Sequence, residues 1–269
     1  ELKQEIVLTA GSPRLDFVSH LRWRETQTML RTSFPVAVHA DEATFEIQFG
    51  HIRRSTHRNT TWDLARDEVA AHKWVDLSQR DCGVALLNDS KYGHKVKNNI
   101  IDLNLLRSVP CTGPRLVQDA DVSPGEPHGA YTDQCDHLFT YSLYPHPGDH
   151  IEGGVIRAGY ELNVPLRLTP TKAHPGDRPS SASFLQIGAV NIVVESVKRA
   201  EDDDRIIIRL YEAEHRGTHT RICFGFPIAS AAEVNLMEED PVSLPIQGDA
   251  IELDFHPFEI KTIAVEVQK

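Results

Sequence analysis

Three stretches of the chain alternate apolar and polar residues with a period of two. They are FEIQF at 45–49, IELDF at 251–255 and IAVEV at 263–267. Because successive side chains of a β-strand point to opposite faces of its sheet, this alternation predicts strands with one face buried and the other in water. Strands of this kind are typical of antiparallel sheets.

Two denser apolar runs, IVV at 192–194 and RIIIRLY at 205–211, are rich in β-branched residues. This composition favours strands that lie deep in a core. The acidic run EDDD at 201–204 lies between them and is predicted to be a solvated turn, since it lacks the ligand spacing and the closing Glu of an EF-hand calcium loop.

The segment 61–77 supports two interpretations. Its apolar positions fit an amphipathic helix capped by Thr61 or Asp63, and from Val69 to Leu77 they also fit one face of a strand. Propensity alone slightly favours the helix. The family resemblance given below favours a strand, and we predict one from about Glu68 onward.

Between Thr169 and Ser183 the sequence is rich in Pro and Ser and shows no periodicity, which is typical of a linker or a long surface loop. We therefore predict an all-β chain with a first domain over 1–165, a linker over 166–183 and a smaller β-sandwich over 184–269. Strands do not alternate with helices in the eightfold rhythm of a (β/α) barrel, which needs about 250 residues of its own.

Composition and charge narrow the possible functions. The 269 residues are 40% apolar and 25% charged. This is ordinary usage for a globular protein. A net charge of −11 disfavours nucleic acid and anionic membranes as partners, because polyanion binding requires clustered Lys and Arg. No apolar run approaches the ~20 residues of a membrane span. The chain begins at Glu1 rather than Met, which suggests a processed or truncated product.

The four cysteines form no Cys-x-x-Cys pair, so the sequence contains neither a zinc ribbon nor a redox motif. Unpatterned cysteines in a chain of this length suggest reduced thiols and a cytoplasmic location. They are Cys82, Cys111, Cys135 and Cys223.

Fourteen histidines raise the question of a metal site. His215 and His219 are four residues apart, but Gly217 between them favours loop histidines over a helix that presents two ligands. His146, Asp149 and His150 surround Pro147-Gly148, where turn residues are an equally good explanation. We therefore predict no metal site in this chain. No Gly-x-Ser-x-Gly elbow or phosphate-binding glycine loop occurs.

Six segments, in order, resemble glycoside hydrolase family 38 α-mannosidases, in particular the cytosolic and vacuolar branch and its bacterial relatives. They are NTTWD at 59–63, EVAAHKWVDLS at 68–78, GVALLNDSKYG at 83–93, LNLLRS at 103–108, DHLFTYSLYPH at 136–146 and RLYEA at 209–213. Because the agreement extends over nearly the whole chain, it is highly specific.

The resemblance implies the carboxyl-terminal β-domains of such an enzyme: a portion of a galactose-mutarotase-like super-sandwich followed by a smaller sandwich. In that family the nucleophilic Asp, the acid-base carboxylate and the zinc ion belong to an amino-terminal barrel. No catalytic residue and no zinc ligand of the family matches this chain. The parent protein is expected to hydrolyse α-mannosides with retention, using two carboxylates.

The resemblance also implies that the sandwich lends polar side chains to the rim of the sugar pocket. Arg107 is the first candidate, because a guanidinium fork can hold vicinal hydroxyls or an acid, although it can equally just end a strand. Asn88, Asp89 and Tyr92 are further candidates in a turn whose Gly93 permits positive φ, although a structural role, a hairpin turn with a capping Asp, is favoured there.

Trp62 and Trp74 could stack on sugar faces, but packing in the core or at a domain interface is favoured for both. The isolated chain is thus expected to be an inactive scaffold. Its expected partners are the missing amino-terminal barrel and mannose-containing oligosaccharides, with a homo-oligomer as a possibility. A free-standing carbohydrate-binding module and an oligomerisation domain are the alternatives.

Overall fold

A computed structural model of the chain describes residues 1–110, 131–173, 175–177 and 179–268. The chain divides into two compact units: Glu1–Ile47 with His51–Leu166, and Gln48–Gly50 with Arg167–Lys269. Both are built from antiparallel sheets, and the prediction of an all-β fold is confirmed. The domain bounds set at 165/166 and 183/184 stay a prediction.

The first unit has two sheets. A seven-stranded sheet has the order β1-β2-β11-β8-β7-β4-β5, and a four-stranded sheet has the order β3-β10-β9-β6. The strands are β1 (Leu2–Leu8), β2 (Leu15–Arg22), β3 (Met29–Pro35), β4 (Glu42–Ile47), β5 (Gly50–Ser55), β6 (Val69–Ala70), β7 (Trp74–Ser78), β8 (Cys82–Asn88), β9 (Gly93–Lys97), β10 (Ile100–Arg107) and β11 (Asp136–Pro147).

The core of this unit lies between the two sheets. Phe45 on β4 lies opposite Val75 on β7, which in turn lies opposite Leu86 on β8, so the alternating positions meet on one face. These side chains pack with Ile101 and Leu103 of β10 in one buried cluster. Burial of such side chains contributes about 1.5–3 kcal/mol each and is the main force that holds the sheets together.

The segment 61–77 contains both kinds of structure. Helix α1 (Thr61–Ala65) is followed by β6 and β7, so the predicted strand from about Glu68 onward is confirmed. The predicted caps were wrong: the N-cap is Thr60, whose Oγ1 accepts a hydrogen bond from the Asp63 backbone N–H at 3.1 Å. A cap precedes the first helical turn, which Thr61 and Asp63 occupy themselves.

Helix α2 (Val155–Asn163) was not predicted. It covers the outer face of the seven-stranded sheet, where Val155 and Ala158 pack with Trp74. Gly159 makes this approach possible, because a Cβ there would lie 2.8 Å from Trp74 Cδ1. The glycines at 153 and 154, just before the helix, are typical of a turn, so no signal in the sequence indicated that a helix begins there. Of the described residues, neither helix is long and apolar enough to cross a lipid bilayer.

The second unit is also a pair of sheets, ordered β12-β15-β18 and β13-β14-β19-β16-β17. Their inner faces enclose a core that includes Leu210, Ile222, Ile251 and Val265. The strands are β12 (Leu185–Ile187), β13 (Ile192–Arg199), β14 (Ile206–Glu212), β15 (Thr218–Phe224), β16 (Ile228–Val234), β17 (Val242–Ser243), β18 (Ala250–Phe255) and β19 (Ile260–Val267).

Most local predictions agree with these bounds. The runs at 192–194, 205–211, 251–255 and 263–267 lie in strands, apart from Arg205, and 201–204 connects β13 and β14. The strand predicted at 45–49 is too long, because β4 ends at Ile47 and Phe49 has a φ of 57°. A strand cannot accommodate a positive φ of this size. The described residues between 169 and 183 lie in neither helix nor strand.

Candidate functional site

Three of the four predicted site residues lie at the end of β8 and in its connection to β9: Asn88 is the last residue of β8, and Asp89 and Tyr92 follow it. Asn88 is fully buried: its Nδ2 donates to the His72 carbonyl at 2.6 Å, and its Oδ1 accepts from the Lys91 N–H at 2.7 Å. The side chain thus satisfies backbone groups on both sides of the turn, as Asn commonly does. Asn88 therefore fixes the turn, and its place in a functional site stays a prediction.

Asp89 attaches this turn to β11. Its Oδ2 accepts from the Thr140 backbone N–H at 2.9 Å, its Oδ1 accepts from the Ser90 hydroxyl at 2.9 Å, and its own N–H donates to the Thr140 carbonyl at 3.1 Å. Lys91 lies beside it, with Nζ 4.6 Å from the centre of the Phe139 ring, and burial lowers the pKa of this lysine. These bonds hold the turn rigidly against the sheet.

Tyr92 is the exposed side chain of the turn, with 53% of its surface accessible. Its ring meets the His72 ring edge to face, with centroids 5.3 Å apart, and its carbonyl accepts from the Ala71 N–H at 3.1 Å. The backbone is therefore fixed while the phenol is presented to solvent. A rigid exposed aromatic is suited to contacting a ligand.

Gly93 does not have the positive φ that the sequence suggested; the reason for glycine there is a close approach. A Cβ at Gly93 would lie 2.7 Å from Nδ2 of Asn104, its partner in the β9–β10 register. The expectation of a left-handed turn residue was therefore wrong. The absence of a side chain lets the Asn104 amide lie over the backbone of β9.

Arg107 is exposed at the last position of β10, opposite Met29 of β3, and its carbonyl accepts from the Thr132 hydroxyl at 2.7 Å. Because β10 and β9 are antiparallel and Asn104 pairs with Gly93, Arg107 and Tyr92 lie at the same end of the four-stranded sheet. The structure thus brings two of the predicted residues to the same end of the four-stranded sheet. Their role at a pocket rim stays a prediction.

Two polar side chains near this end of the sheet, His94 and Arg54, are withdrawn from solvent, His94 fully and Arg54 in part. His94 on β9 is fully buried, and burial, together with the charge of Arg54, lowers its pKa to about 3. Burial also lowers the pKa of Arg54, whose guanidinium lies 4.7 Å from the centre of the Phe45 ring. His94 is therefore neutral across the physiological range, and it is a structural group rather than a proton donor.

The sequence raised the question of a metal around Pro147-Gly148; at the end of β11, just before this turn, His146 instead forms a buried pair with Asp76 of β7. His146 Nε2 lies 2.8 Å from Oδ1 of Asp76, whose Oδ2 accepts from the Ser78 hydroxyl. Gly83 leaves room for the imidazole, since a Cβ there would lie 2.5 Å from Cε1 of His146. Sequence reasoning missed this pair, because Asp76 occupies a strand position that alternation assigns to solvent.

The neighbouring loop residues also have structural partners. Asp149 Oδ1 accepts from the backbone N–H groups of Ile151 and Glu152 at 2.9 and 3.0 Å. His150 is buried and stacks on Trp74 with ring centroids 5.5 Å apart. Over the described part of the chain, no group of three or more His, Cys, Asp or Glu side chains is arranged to hold a metal ion.

A second buried carboxylate lies in the RLYEA segment. Glu212 accepts from Asn191 Nδ2 at 2.8 Å and from the backbone N–H groups of Glu214, Arg216 and Phe258 at 2.7, 3.1 and 3.0 Å. Burial alone would raise the pKa of Glu212, but these four donors outweigh it, and the pKa is lowered. This segment is therefore a structural junction of three loops.

The two tryptophans behave differently. Trp74 is buried in the core, as predicted. Trp62, on α1, is 80% exposed and does not pack in a core, whereas the other predicted role, packing at a domain interface, stays a prediction. Of the two histidines predicted to lie in a loop, His215 does so, in a turn with a φ of 64°. His219 lies instead on β15, with its Nδ1 2.8 Å from Oδ1 of Asp254.

Two family models match the chain. The model described as Glycosyl hydrolases family 38 C-terminal domain matches residues 1–111, and the one described as Glycosyl hydrolases family 38 C-terminal beta sandwich domain matches residues 191–263. These spans lie on the first and the second structural unit, respectively. The family resemblance seen in the sequence is confirmed.

Curated relatives match along the whole chain. Alpha-mannosidase 2C1 of Mus musculus is 38% identical over 273 residues, covering 99% of this chain and 24% of that protein. Alpha-mannosidase G of Dictyostelium discoideum is 37% identical, covering 97% of this chain and 23% of that protein. The chain thus spans about a quarter of the length of the curated relatives it matches.

The fold also matches a solved structure. The crystal structure of an alpha-mannosidase from Enterococcus faecalis V583 superposes with a TM-score of 0.77 at 19% identity, covering 98% of this chain and 29% of that one. At this identity the likeness concerns the fold. Family models, relatives and fold agree, and the chain belongs to glycosyl hydrolase family 38, of which it carries the C-terminal domains.

Proposed function

We propose that this chain is the non-catalytic C-terminal part of an enzyme that hydrolyses terminal α-linked mannose from oligosaccharides with retention of configuration. The observation that carries the proposal is the match over 99% of the chain to a protein named as an alpha-mannosidase, a match that covers about a quarter of that relative's length. In this proposal the sheets support a catalytic barrel elsewhere in the same polypeptide.

The catalytic groups and the zinc ion are assigned to that barrel. The described residues of this chain do not offer three metal-ligating side chains in one place, so their donor set does not fit zinc. The buried carboxylates of Asp76 and Glu212 are occupied by the hydrogen bonds that hold loops and strands. A carboxylate that attacks a sugar or protonates a leaving group must be reachable by the substrate, and these are enclosed.

The chain's direct contribution is a rim for the sugar pocket, formed by Arg107 and Tyr92. The exposed guanidinium can donate to vicinal hydroxyls, and the exposed phenol offers an apolar ring face and a hydroxyl. Asn88 and Asp89 act indirectly, since their side chains hold the turn from which Tyr92 projects. Rigid support of this kind keeps rim groups in a fixed position.

The test is hydrolysis of a chromogenic α-mannoside by the 269-residue chain and by its parent polypeptide, each with and without added zinc. The parent is expected to turn over, and the chain alone is expected to show no activity above background. Turnover by the chain alone at a rate similar to the parent would overturn the division between scaffold and barrel.

One observation favours a second function, a carbohydrate-binding module. Trp62 and Tyr92 are 80% and 53% exposed. Exposed aromatic rings can stack on sugars. Calorimetric titration of the isolated chain with mannose oligosaccharides separates the two functions. An independent module binds them with measurable heat that the Trp62→Ala variant lacks, whereas a detached scaffold gives no binding isotherm.

A cytoplasmic location is part of the proposal. The described cysteines Cys82, Cys135 and Cys223 are free thiols, as expected for a reducing compartment. Quantifying reactive thiols in protein purified under non-reducing conditions tests this point. A homo-oligomer also remains a proposal, and light scattering on the isolated chain tests it.

A further inference from the structure

The first strand of the seven-stranded sheet is an unusually open edge. Every residue of β1 is exposed, and among the described residues β1 pairs with β2 alone. Leu2, Ile6 and Leu8 are 54%, 64% and 70% exposed, although they lie opposite Leu21, Phe17 and Leu15 of β2 in the register. We name these three side chains the β1 apolar row.

The β1 apolar row belongs to the core-facing side of the sheet. Phe17 and Leu21 pack in or against the core of the first unit, and directly opposed residues of antiparallel strands point to the same face. Gln4, between the apolar residues, follows the same direction, because its Nε2 donates to the Tyr141 hydroxyl at 2.9 Å. The row is therefore an extension of the core surface.

The row is exposed because the two sheets differ in width. Across the core from β2 and β11 lies β3, where Phe34 is 5.6 Å from Phe17 and 6.1 Å from Tyr141 between ring centroids. β3 is itself an edge strand of the four-stranded sheet. Within the described residues β3 is the last strand on this side, and none of them forms a strand that faces the row across the core.

The open edge also offers a hydrogen-bonding ladder. Glu1 and Arg22 exchange both of their backbone hydrogen bonds, at 2.9 and 3.1 Å. Because such pairs alternate along antiparallel strands, the N–H and C=O groups of Leu2, Gln4, Ile6 and Leu8 point away from β2 toward the free edge. The same four residues thus present core-facing side chains and open backbone groups.

Isolated proteins usually block such an edge. They use proline, a bulge or a charged side chain that points inward, because an open, flat, apolar strand pairs with other chains. β1 has seven residues in continuous register with β2 and contains no proline. Its charged residues Lys3 and Glu5 pair with each other at 3.0 Å on the opposite face. β1 therefore lacks the features that protect an isolated edge strand from pairing with another strand.

We propose that β1 is a docking edge for a β-strand of the same polypeptide, from the part of the parent enzyme that lies outside this chain. That strand pairs with the free edge of β1, and its region covers the β1 apolar row. The length of the relatives supports this occupant, since about three quarters of the mouse relative lies outside the matched region. The inference rests on the proposed place of this chain in a longer polypeptide, and not on the reaction.

The test is residue-resolved hydrogen exchange on the 269-residue chain and on the parent. The amides of Gln4, Ile6 and Leu8 are expected to exchange about 100-fold more slowly in the parent, whereas the amides of Leu86 and Leu87 in β8 are slow in both. Equal rates at β1 in the two proteins would overturn the proposal. So would protection that appears in the isolated chain as its concentration rises, because the occupant is then a second copy.

A pair of variants of the parent separates the two faces of β1. Ile6→Asp places a charge in the apolar row and is expected to remove most of the protection at β1, while Val7→Asp, on the opposite face, retains it. If Ile6→Asp prevents folding, Ile6→Thr gives the same comparison more mildly. Protection that survives every change at position 6 contradicts the proposal.

Hydrolysis assays on the same samples distinguish the two claims. Protected β1 amides in a parent that does not cleave α-mannosides leave this inference standing and overturn the proposed function. An active parent with unprotected β1 amides overturns this inference alone.

Discussion

His146 Nε2 lies 2.8 Å from Oδ1 of Asp76, and both side chains are almost completely enclosed, at 1% and 2% exposed. The second ring nitrogen, Nδ1, lies 3.1 Å from the Pro147 carbonyl, so both nitrogens face acceptors. Burial lowers the pKa of His146, but the hydrogen bond and charge of Asp76 outweigh it, and the pKa lies above its ordinary value. The imidazolium is therefore the form that this site stabilises.

The first prediction is that the stability of the first unit falls at alkaline pH. Because the pKa of His146 is higher in the folded than in the unfolded chain, its contribution is complete below about pH 6.5 and is lost as pH rises through the raised pKa. His146→Gln should cost about 2–4 kcal/mol near pH 6 and flatten this dependence, since it leaves a buried carboxylate without its cation. Urea unfolding between pH 6 and pH 9 measures both effects.

His219 provides the matched control. Its Nδ1 lies 2.8 Å from Oδ1 of Asp254, the same separation, but the two side chains are 61% and 87% exposed. His219→Gln should change stability by less than about 1 kcal/mol, because solvent screens an exposed pair. Equal losses for the two variants would contradict the importance of burial.

The second prediction concerns the junction of loops at Glu212. Glu212→Gln replaces one acceptor oxygen with an NH₂ group that faces N–H donors, and should cost about 2–4 kcal/mol in the second unit. Because the pKa of Glu212 is lowered in the folded chain, its contribution is present above about pH 4.5 and is lost as pH falls through the folded value. Denaturant unfolding at pH 7 and pH 4 checks this.

Glu252, an exposed acid on β18 of the same unit, is the control for that measurement. Glu252→Gln should leave the unfolding midpoint nearly unchanged. If it destabilises as much as Glu212→Gln, the effect is one of net charge and not of the four hydrogen bonds.

The third prediction tests the close approach at Gly93. A new Cβ there would lie 2.7 Å from the Asn104 amide nitrogen and must displace it. Gly93→Ala should therefore cost about 1–3 kcal/mol. Asn104→Ala removes that amide and should restore part of the loss in the double variant. A double-mutant cycle from unfolding curves gives the coupling free energy.

Gly217→Ala is the control for this cycle, since its Cβ would first meet the Phe255 carbonyl oxygen at 3.8 Å. That separation is an ordinary contact, so the variant should lose much less stability than Gly93→Ala. Additive losses at positions 93 and 104 would show that the two residues do not constrain each other.

The strands were predictable where one physical requirement decided the residue pattern. IELDF at 251–255 alternates because one face lies in the core of the second unit and the other in water, and its strand was identified correctly. WVDLS at 74–78 does not alternate clearly, because α2 covers the outer face of that sheet as well. Asp76 on the same face is buried as well, against His146 of β11, and only the fold reveals this partner.

In the candidate site, too, local features were predictable from the sequence and contacts between strands were not. Local sequence places Asn88, Asp89 and Tyr92 in a turn; the structure has Asp89 and Tyr92 between β8 and β9, whereas Asn88 is the last residue of β8. The reason for Gly93 depends on Asn104 in another strand, and alternation along one strand carries no information about such a neighbour. Arg107 was named through the family resemblance, and its position at the same end of the four-stranded sheet as the turn follows from the pairing of β9 with β10.

The fourth prediction tests the pocket rim in the parent enzyme. Arg107→Ala should lower kcat/KM for a mannose oligosaccharide about 10- to 100-fold, the loss expected for one or two hydrogen bonds from a charged donor. Since Arg107 is exposed at the end of β10, the unfolding midpoint should stay the same. Arg107→Lys should recover only part of the activity, because an ammonium cannot reproduce the planar fork.

Arg157 on α2 is the matched control for this measurement, being an arginine that is 86% exposed and paired with Glu161 at 2.8 Å on the helix surface. Arg157→Ala removes the same charge from the same unit, so an effect of net charge on substrate or barrel would appear in both variants. A loss confined to Arg107→Ala identifies a specific contact. Full activity in Arg107→Ala would remove this arginine from the rim and leave Tyr92 as the remaining candidate at this end of the sheet.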